Sequence, residues 1–420
     1  MKSADSSHSC ELRTLVLGID TQIGLTVIRE LCKHGVTVHG IASDATGVGL
    51  YSRYLATGHI RSETEDGIIQ QINTLARQTG TTWLLAVGES DILLINRRRD
   101  ELIGITPLIP EADEFAKVLD KQTTLAAARS VGIITPQSWA LDNLNDFEKI
   151  KPQLRFPVVI KWRNPHRVVR RLGKSGKTLQ KYRYAYDPDE LIEYLGKFEI
   201  IGELPLIQEY CPGYGVGQML FLHEGKTVLR FQHRRIAEWP PEGGASAVCE
   251  SLPIEAHNEM MAKSEALLRL LGWSGPAMVE YRYDPETQKA MLMEVNGRFW
   301  GSLPLAHHAG AHFVWLTLAI AAFGQVPEMR PYTPAVRCRS IVPELKRLLR
   351  VTFHPEMIQD KMLRPSWPHE WLLFLVRYLV PRTYYYVFSF DDPRPFIMDS
   401  WLSVRRVVTR RFAGGARYFG

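Results

Sequence analysis

Cysteine is scarce in this chain, and long apolar runs are missing. The five cysteines, at 10, 32, 211, 249 and 338, are odd in number and far apart. No pair has metal-ligand or redox-motif spacing, so reduced thiols in a cytoplasmic protein are expected. The N-terminal stretch MKSADSSHSCELR lacks the apolar core of a secretory signal. The greasiest segment, EWLLFLVRYLVPRTYYYVF, is broken by Arg377, Pro381 and Arg382. It falls short of the ~20 uninterrupted apolar residues of a membrane span. A strong charge bias is missing too: 51 basic and 45 acidic residues leave +6, which gives no reason to expect a nucleic-acid partner. There is no internal repeat. What is present is ordinary globular composition, 45% hydrophobic and 23% charged. The 420 residues are too many for one compact core and suit two or three domains.

Along residues 12–110, apolar strand runs alternate with helical patterns. TLVLGI, VTVHGIA and TWLLAV read as strands; QIGLTVIRELCKHG and DGIIQQINTLARQTG read as helices. That alternation predicts a doubly wound parallel sheet. The turn from Gly18 to Gly24 fails the dinucleotide fingerprint, because position 20 is Asp. EFAKVLDKQTTLAAARSVGIITP reads as one helix stopped by Gly132, and the Pro-containing stretch 106–111 is a plausible boundary before it. From 155 onward the texture changes. FPVVIKW, PLIQEY, VGQMLFLHEG and KTVLRFQHRR read as strands, with helices at 187–197 and in EAHNEMMAKSEALLRLLG. PAMVEYRYDPETQKAMLMEVN reads as two antiparallel strands around a DPETQ turn. The fold class is therefore an α/β N-terminal parallel sheet followed by an α+β region with mainly antiparallel sheets.

The chemistry concentrates in that last hairpin. Glu294, Asn296 and Arg298 alternate along LMEVNGRFWGS, so they share a face of a strand. A turn near 285–287 would set Glu280 opposite Glu294. Two adjacent carboxylates repel unless a cation lies between them, and an amide oxygen at 296 adds a third hard ligand. Such a set suits magnesium or manganese; the plainer reading is a surface hairpin with solvated acids. Lys161 ends an apolar strand and Lys121 starts a helix, positions from which an ammonium can meet phosphate oxygens. The following segment, 163–178, carries six Lys/Arg and no acid. It fails the Walker A test, since 168 and 171 are Val and Arg.

VLDKQTTLAAARSVGIITP, FPVVIKW, PLIQEYCPG, MVEYR and MEVNGRFWGS, in this order and spacing, resemble the ATP-grasp superfamily. The likeness covers roughly 12–325 and looks most like the carboxylate–amine ligase branch, relatives of the ATP domains of carbamoyl-phosphate synthase and biotin carboxylase. The resemblance implies ATP and Mg2+ (or Mn2+) as cofactors. Lys121 and Lys161 would hold phosphates. Gln208, Glu209, Tyr210 and Cys211 would form the adenine-binding hinge. Glu280, Glu294 and Asn296 would bind metal. Arg298 would stabilise the transferring phosphoryl group. His233 and Arg235 would meet phosphate or acyl substrate, and 163–178 would be the lid.

The implied function joins a small-molecule carboxylate to an amine through an acyl phosphate, with release of ADP. Rivals are an enzyme forming a carboxy phosphate in the carbamoyl-phosphate synthase manner, a kinase stopping at the acyl phosphate, and a silent nucleotide-binding scaffold. The implied division is 1–110, a Rossmann-like domain; 111–330, the ATP-grasp domain, with lobes at about 111–207 and 208–330; and 331–420, a C-terminal extension. Glu89 and Asp91 are either substrate-facing or first-turn helix acids. In the extension, DSWLSVRRVVTRRFAGGARYFG reads as a basic amphipathic helix. It either docks on the core, with EWLLFLVRYL as core-facing partner, or touches an anionic membrane. A homodimer is compatible with all of this.

Overall fold

The structure is a computed structural model that describes residues 11–162, 182–199, 202, 204–363 and 365–412. Strands β1 (Arg13–Leu17), β2 (Thr37–Ala42), β3 (Leu55–Ile60), β4 (Trp83–Ala86) and β5 (Thr106–Pro107) form a sheet in the order β3-β2-β1-β4-β5. Every pairing in it is parallel. The central strand is apolar on both faces, with Leu15, Val16 and Leu17 wholly buried, as a parallel sheet covered by helices requires. The sequence reading missed β3. It is an edge strand, mostly exposed, and its LATGHI carries no alternation to betray it. The Gly18–Gly24 turn is a packing device. A Cβ at Gly24 would lie 2.6 Å from the Gly18 carbonyl oxygen, so only glycine lets the helix Gln22–Lys33 sit this close to the turn.

A small antiparallel sheet follows, from β6 (Ser138–Trp139), β7 (Val158–Lys161), β8 (Tyr182–Ala185) and β9 (Leu206–Glu209), in the order β6-β9-β7-β8. Trp139, Val158, Ile160, Leu191, Leu195 and Ile207 form its core with the helix Pro188–Gly196. The largest sheet has seven strands: β10 (Tyr214–His223), β11 (Lys226–Trp239), β12 (Ala245–Ser251), β13 (Gly275–Asp284), β14 (Lys289–Asn296), β15 (Arg337–Arg339) and β16 (Thr383–Tyr385). Their order is β14-β13-β10-β11-β12-β15-β16. Among the described residues, only β15 and β16 of this sheet pair in parallel. Residues beyond 330 thus supply two strands of the main sheet. They are also tied to the first unit: buried Asp392 accepts from Arg29 Nε at 3.1 Å, Ser52 Oγ at 2.7 Å and the Arg53 amide at 2.9 Å.

Two sequence expectations are corrected. The helix read across 114–132 is two helices, Ala112–Leu119 and Lys121–Ser130. Asp120 breaks it, because its carboxylate accepts from the Gln122 amide at 2.9 Å and caps the second helix. The helix Trp367–Val376 overlaps EWLLFLVRYL and faces inward on one side only, where Trp371 bonds Thr352 and Phe374 stacks on Arg339. None of its residues is buried, and Leu372 and Leu375 are 59% and 60% exposed. The basic segment 163–178 lies outside the described residues. Among the described residues no single helix is long and apolar enough to cross a membrane.

Candidate active site

The hairpin of β13 and β14 pairs Glu280 directly with Glu294, and Met278 with Asn296. The amide of Asn296 donates to Glu294 Oε1 at 3.1 Å, so these two groups share a side, as their spacing predicts. Glu294 is exposed while Glu280 is largely buried. Burial pushes the Glu280 carboxyl above the usual range; Arg235 opposes the push and Glu294 adds to it.

Arg235 bridges Glu280 and Glu238. Its Nη2 lies 2.6 Å from Glu280 Oε2 and its Nη1 3.0 Å from Glu238 Oε1. Arg282 Nη1 joins at 3.1 Å from Glu238 Oε2. Arg235 sits on β11 and Glu280 on β13, with β10 between them. Two glycines make the reach feasible. A Cβ at Gly215 would fall 2.7 Å from Arg235 Cδ, and one at Gly217 would fall 2.4 Å from His233 Cε1. Sequence reasoning missed Glu238 for a definite reason. Positions 235 and 238 face opposite ways in a regular strand. Register shifts between Arg235 and Ala237, and between Ala237 and Glu238, bring them together.

His233 is on the same sheet face as Glu280, in register through Gly217, but it is covered. It is fully buried, with Nε2 3.0 Å from Ser302 Oγ and Nδ1 facing the Gly217 carbonyl at 3.4 Å. Burial, with Arg235 nearby, pulls it down to about 3, so it is a neutral ring at ordinary pH. Ser302 follows Arg298 in the loop after β14. Arg298 donates Nη1 to the Phe299 carbonyl at 3.0 Å and lines a cavity of about 230 Å³ with Pro107, Leu108, Glu114, Ser274 and Thr317. Gln22, at the start of the first helix, donates to the Gly301 carbonyl at 3.4 Å, so the parallel sheet abuts this loop. A larger cavity of about 350 Å³, lined by Ile133, His257, Lys263 and Tyr283, does not include the paired acids.

On the small sheet, Lys161 donates to Gln208 Oε1 at 2.8 Å, and Gln208 donates to Ser138 Oγ at 3.2 Å. The two expected ligands are therefore neighbours. Glu209 Oε2 accepts from the Gln137 amide at 3.0 Å. Tyr210 donates to Asp360 Oδ2 at 3.0 Å, a contact with the C-terminal extension that no motif announces. Cys211 is buried against Met291 of β14 at 3.3 Å, and burial pushes its thiol up to about 11. This contact joins the hinge to the acidic hairpin. Lys121 is exposed in the first turn of its helix. Glu89 and Asp91 lie in the first turn of Glu89–Arg97. Asp91 pairs with Arg61 at 2.6 Å, and burial raises its carboxyl.

A parallel sheet, a small antiparallel sheet carrying Lys161 and Gln208, and a large, mainly antiparallel sheet carrying the paired acids together make the ATP-grasp fold. Biotin carboxylase from Campylobacter jejuni, solved as a β-γ-ATP complex, matches with a TM-score of 0.61 at 12% identity, over 78% of this chain and 74% of that one. L-amino acid ligase from Bacillus licheniformis matches with a TM-score of 0.54 at 16% identity, over 74% of each chain. In sequence, the chain is 23% identical over 275 residues to the carbamoyl phosphate synthase large chain of Thermus thermophilus. That stretch is 64% of this chain, and the match spans 25% of the larger protein. No protein-family profile matches the sequence.

Proposed function

We propose that the protein is an ATP- and magnesium-dependent, ADP-forming carboxylate–amine ligase. The observation that carries this reading is the opposed pair Glu280 and Glu294, with Asn296 bonded to Glu294. The three oxygen ligands suit a hard cation. Glu280, Glu294 and Asn296 would hold Mg2+, which would neutralise charge on the phosphates. Lys161 and Lys121 would meet phosphate oxygens, and Gln208 through Cys211 would take the adenine. A carboxylate oxygen of the acid attacks the γ-phosphorus, the bond to the β-phosphate bridging oxygen breaks, and ADP leaves. Arg298 stabilises the charge on the transferring group. The amine nitrogen then attacks the acyl carbon, and phosphate departs as the amine loses a proton. Arg235 orients Glu280 and opposes its protonation, and His233 positions the loop through Ser302. Glu294→Gln tests the reading. It should abolish acid- and amine-dependent ADP release while the melting temperature stays near wild type. Normal turnover at limiting magnesium would overturn the assignment.

Cytoplasmic residence is part of the same proposal, supported by free thiols at Cys32, Cys211, Cys249 and Cys338. A peripheral contact with an anionic membrane is supported by one surface. Among the described residues, 15 of the 24 exposed large apolar side chains lie beyond residue 340. Leu345, Leu349 and Phe353 form one stripe at helical spacing, and Leu372, Leu375 and Val376 are exposed on the helix Trp367–Val376. Residues 341–420 hold 13 basic and seven acidic residues, an excess equal to the whole chain's +6. Co-sedimentation with phosphatidylserine vesicles, lost in Leu372→Glu/Leu375→Glu, is the expected result. A concentration-dependent dimer without vesicle binding would assign the surface to a second copy.

A further inference from the structure

Far from the paired acids in sequence, the helix Gln22–Lys33 meets two helices of the later part of the chain, Leu303–Ala309 and Phe313–Phe323. Glu30 is wholly buried at this contact. Its Oε1 accepts from the amides of Val314 at 2.8 Å and Trp315 at 2.9 Å. That oxygen is fully engaged in capping the Phe313–Phe323 helix, and the two bonds fix the orientation of the carboxylate. The other oxygen, Oε2, faces two imidazoles through the same ring atom. His307 Nδ1 lies 2.9 Å away and His312 Nδ1 3.7 Å away. The three atoms all lie within 4.8 Å of one another.

A carboxylate–imidazole pair explains His307 but not His312. The Nδ1 of His312 is buried and makes no hydrogen bond, and 3.7 Å is too long for one. A buried, unpartnered nitrogen aimed at a carboxylate costs free energy unless something else satisfies it. The spacing names a candidate. Zinc bonds to imidazole nitrogen and carboxylate oxygen at about 2.0–2.2 Å, so neighbouring ligands of a tetrahedral ion stand roughly 3.3–3.5 Å apart. The observed 2.9 and 3.7 Å bracket that value. Two imidazoles and one carboxylate suit zinc or a similar first-row ion and disfavour magnesium. The amides on Oε1 are the outer support that metal-binding carboxylates usually have. His34, whose ring stacks on Trp315 at 4.4 Å and meets His312 edge-on at 5.2 Å, holds the His312 ring in place.

We propose that Glu30, His307 and His312 form a zinc-class metal site. The ion would clamp the parallel-sheet unit to the helices that follow the Arg298 loop. The site is independent of the ligase reading, since none of its residues holds nucleotide or magnesium there.

The test is zinc uptake by the full-length protein, stripped with chelator and titrated with zinc alone in excess magnesium, read by elemental mass spectrometry and melting temperature. Wild type should retain about one zinc per chain and melt higher with zinc. His312→Ala should fold, because this ring makes no hydrogen bond through Nδ1, yet bind at least tenfold more weakly and lose the zinc-dependent rise. His312→Asn, which keeps a polar side chain, should show the same loss. Glu294→Gln should bind zinc as wild type does, which separates this site from the proposed magnesium site. No zinc retained by wild type, or equal zinc and equal melting shifts in wild type and His312→Ala, would overturn the proposal.

Discussion

Replacing Arg235 with methionine removes a charge and leaves a shorter, unbranched apolar side chain. Arg235 is 13% exposed and Glu280 14% exposed, so neither is well solvated. Breaking a buried pair by removing one partner costs about 3–5 kcal/mol. The low end applies here, because the pair retains some solvent access and Arg282 still holds Glu238 at 3.1 Å. The loss expected is therefore about 3 kcal/mol, or a fall of about 3 °C in melting temperature for a chain of this length. The sign with pH follows from Glu280. Burial raises its carboxyl in the fold, and removing Arg235 raises it further, so the ionised form is disfavoured in the folded state. The deficit should open as pH rises past the raised pKa of Glu280 in the wild-type fold, which is above the ordinary glutamate value of about 4.3, and shrink below it. Millimolar magnesium or manganese should restore part of the lost stability, because a cation between Glu280 and Glu294 takes over from the guanidinium. The assay is a thermal melt of wild type and Arg235→Met across pH, with and without the metal. A variant that melts like wild type, or one whose deficit ignores both pH and metal, would refute the argument.

Further outcomes are expected. Arg298→Ala should lower turnover far more than ATP affinity, by about 2–4 kcal/mol in transition-state terms; comparing kcat with nucleotide binding checks this, and equal losses would make it a ground-state contact. Gly217→Val should disorder the crossing of β10, since even a Cβ there would lie 2.4 Å from His233 Cε1; a lowered melting temperature and lost ADP release are the readouts. Because His233 sits at about 3 in the fold, against about 6.5 when unfolded, its contribution is full above about pH 6.5 and is lost as pH falls from there toward 3. Melting temperature should fall over that window, and His233→Gln should flatten the fall.

The linear order of residues announced much of this protein. Period-two and period-3.6 patterns exposed the central parallel strands and the hairpin. The spacing of Glu280, Glu294 and Asn296 around a DPETQ turn already implied their pairing, because strand register is local arithmetic once a turn is placed. Local rules failed where a distant neighbour decided. An edge strand such as β3 buries little and leaves no pattern. Asp120 reads as one more polar helix position until its carboxylate turns back to cap the next helix. Glu238 faces Arg235 only because β11 bulges, and Arg235 reaches Glu280 only because Gly215 and Gly217 leave the intervening strand bare. The greasy segment around Leu372 has the composition of a core helix and still turns one side outward, since burial depends on what the rest of the chain packs against it. The meeting of Glu30 with His307 and His312 spans more than 270 positions, and only the packing of helices from opposite ends of the chain could bring those atoms together.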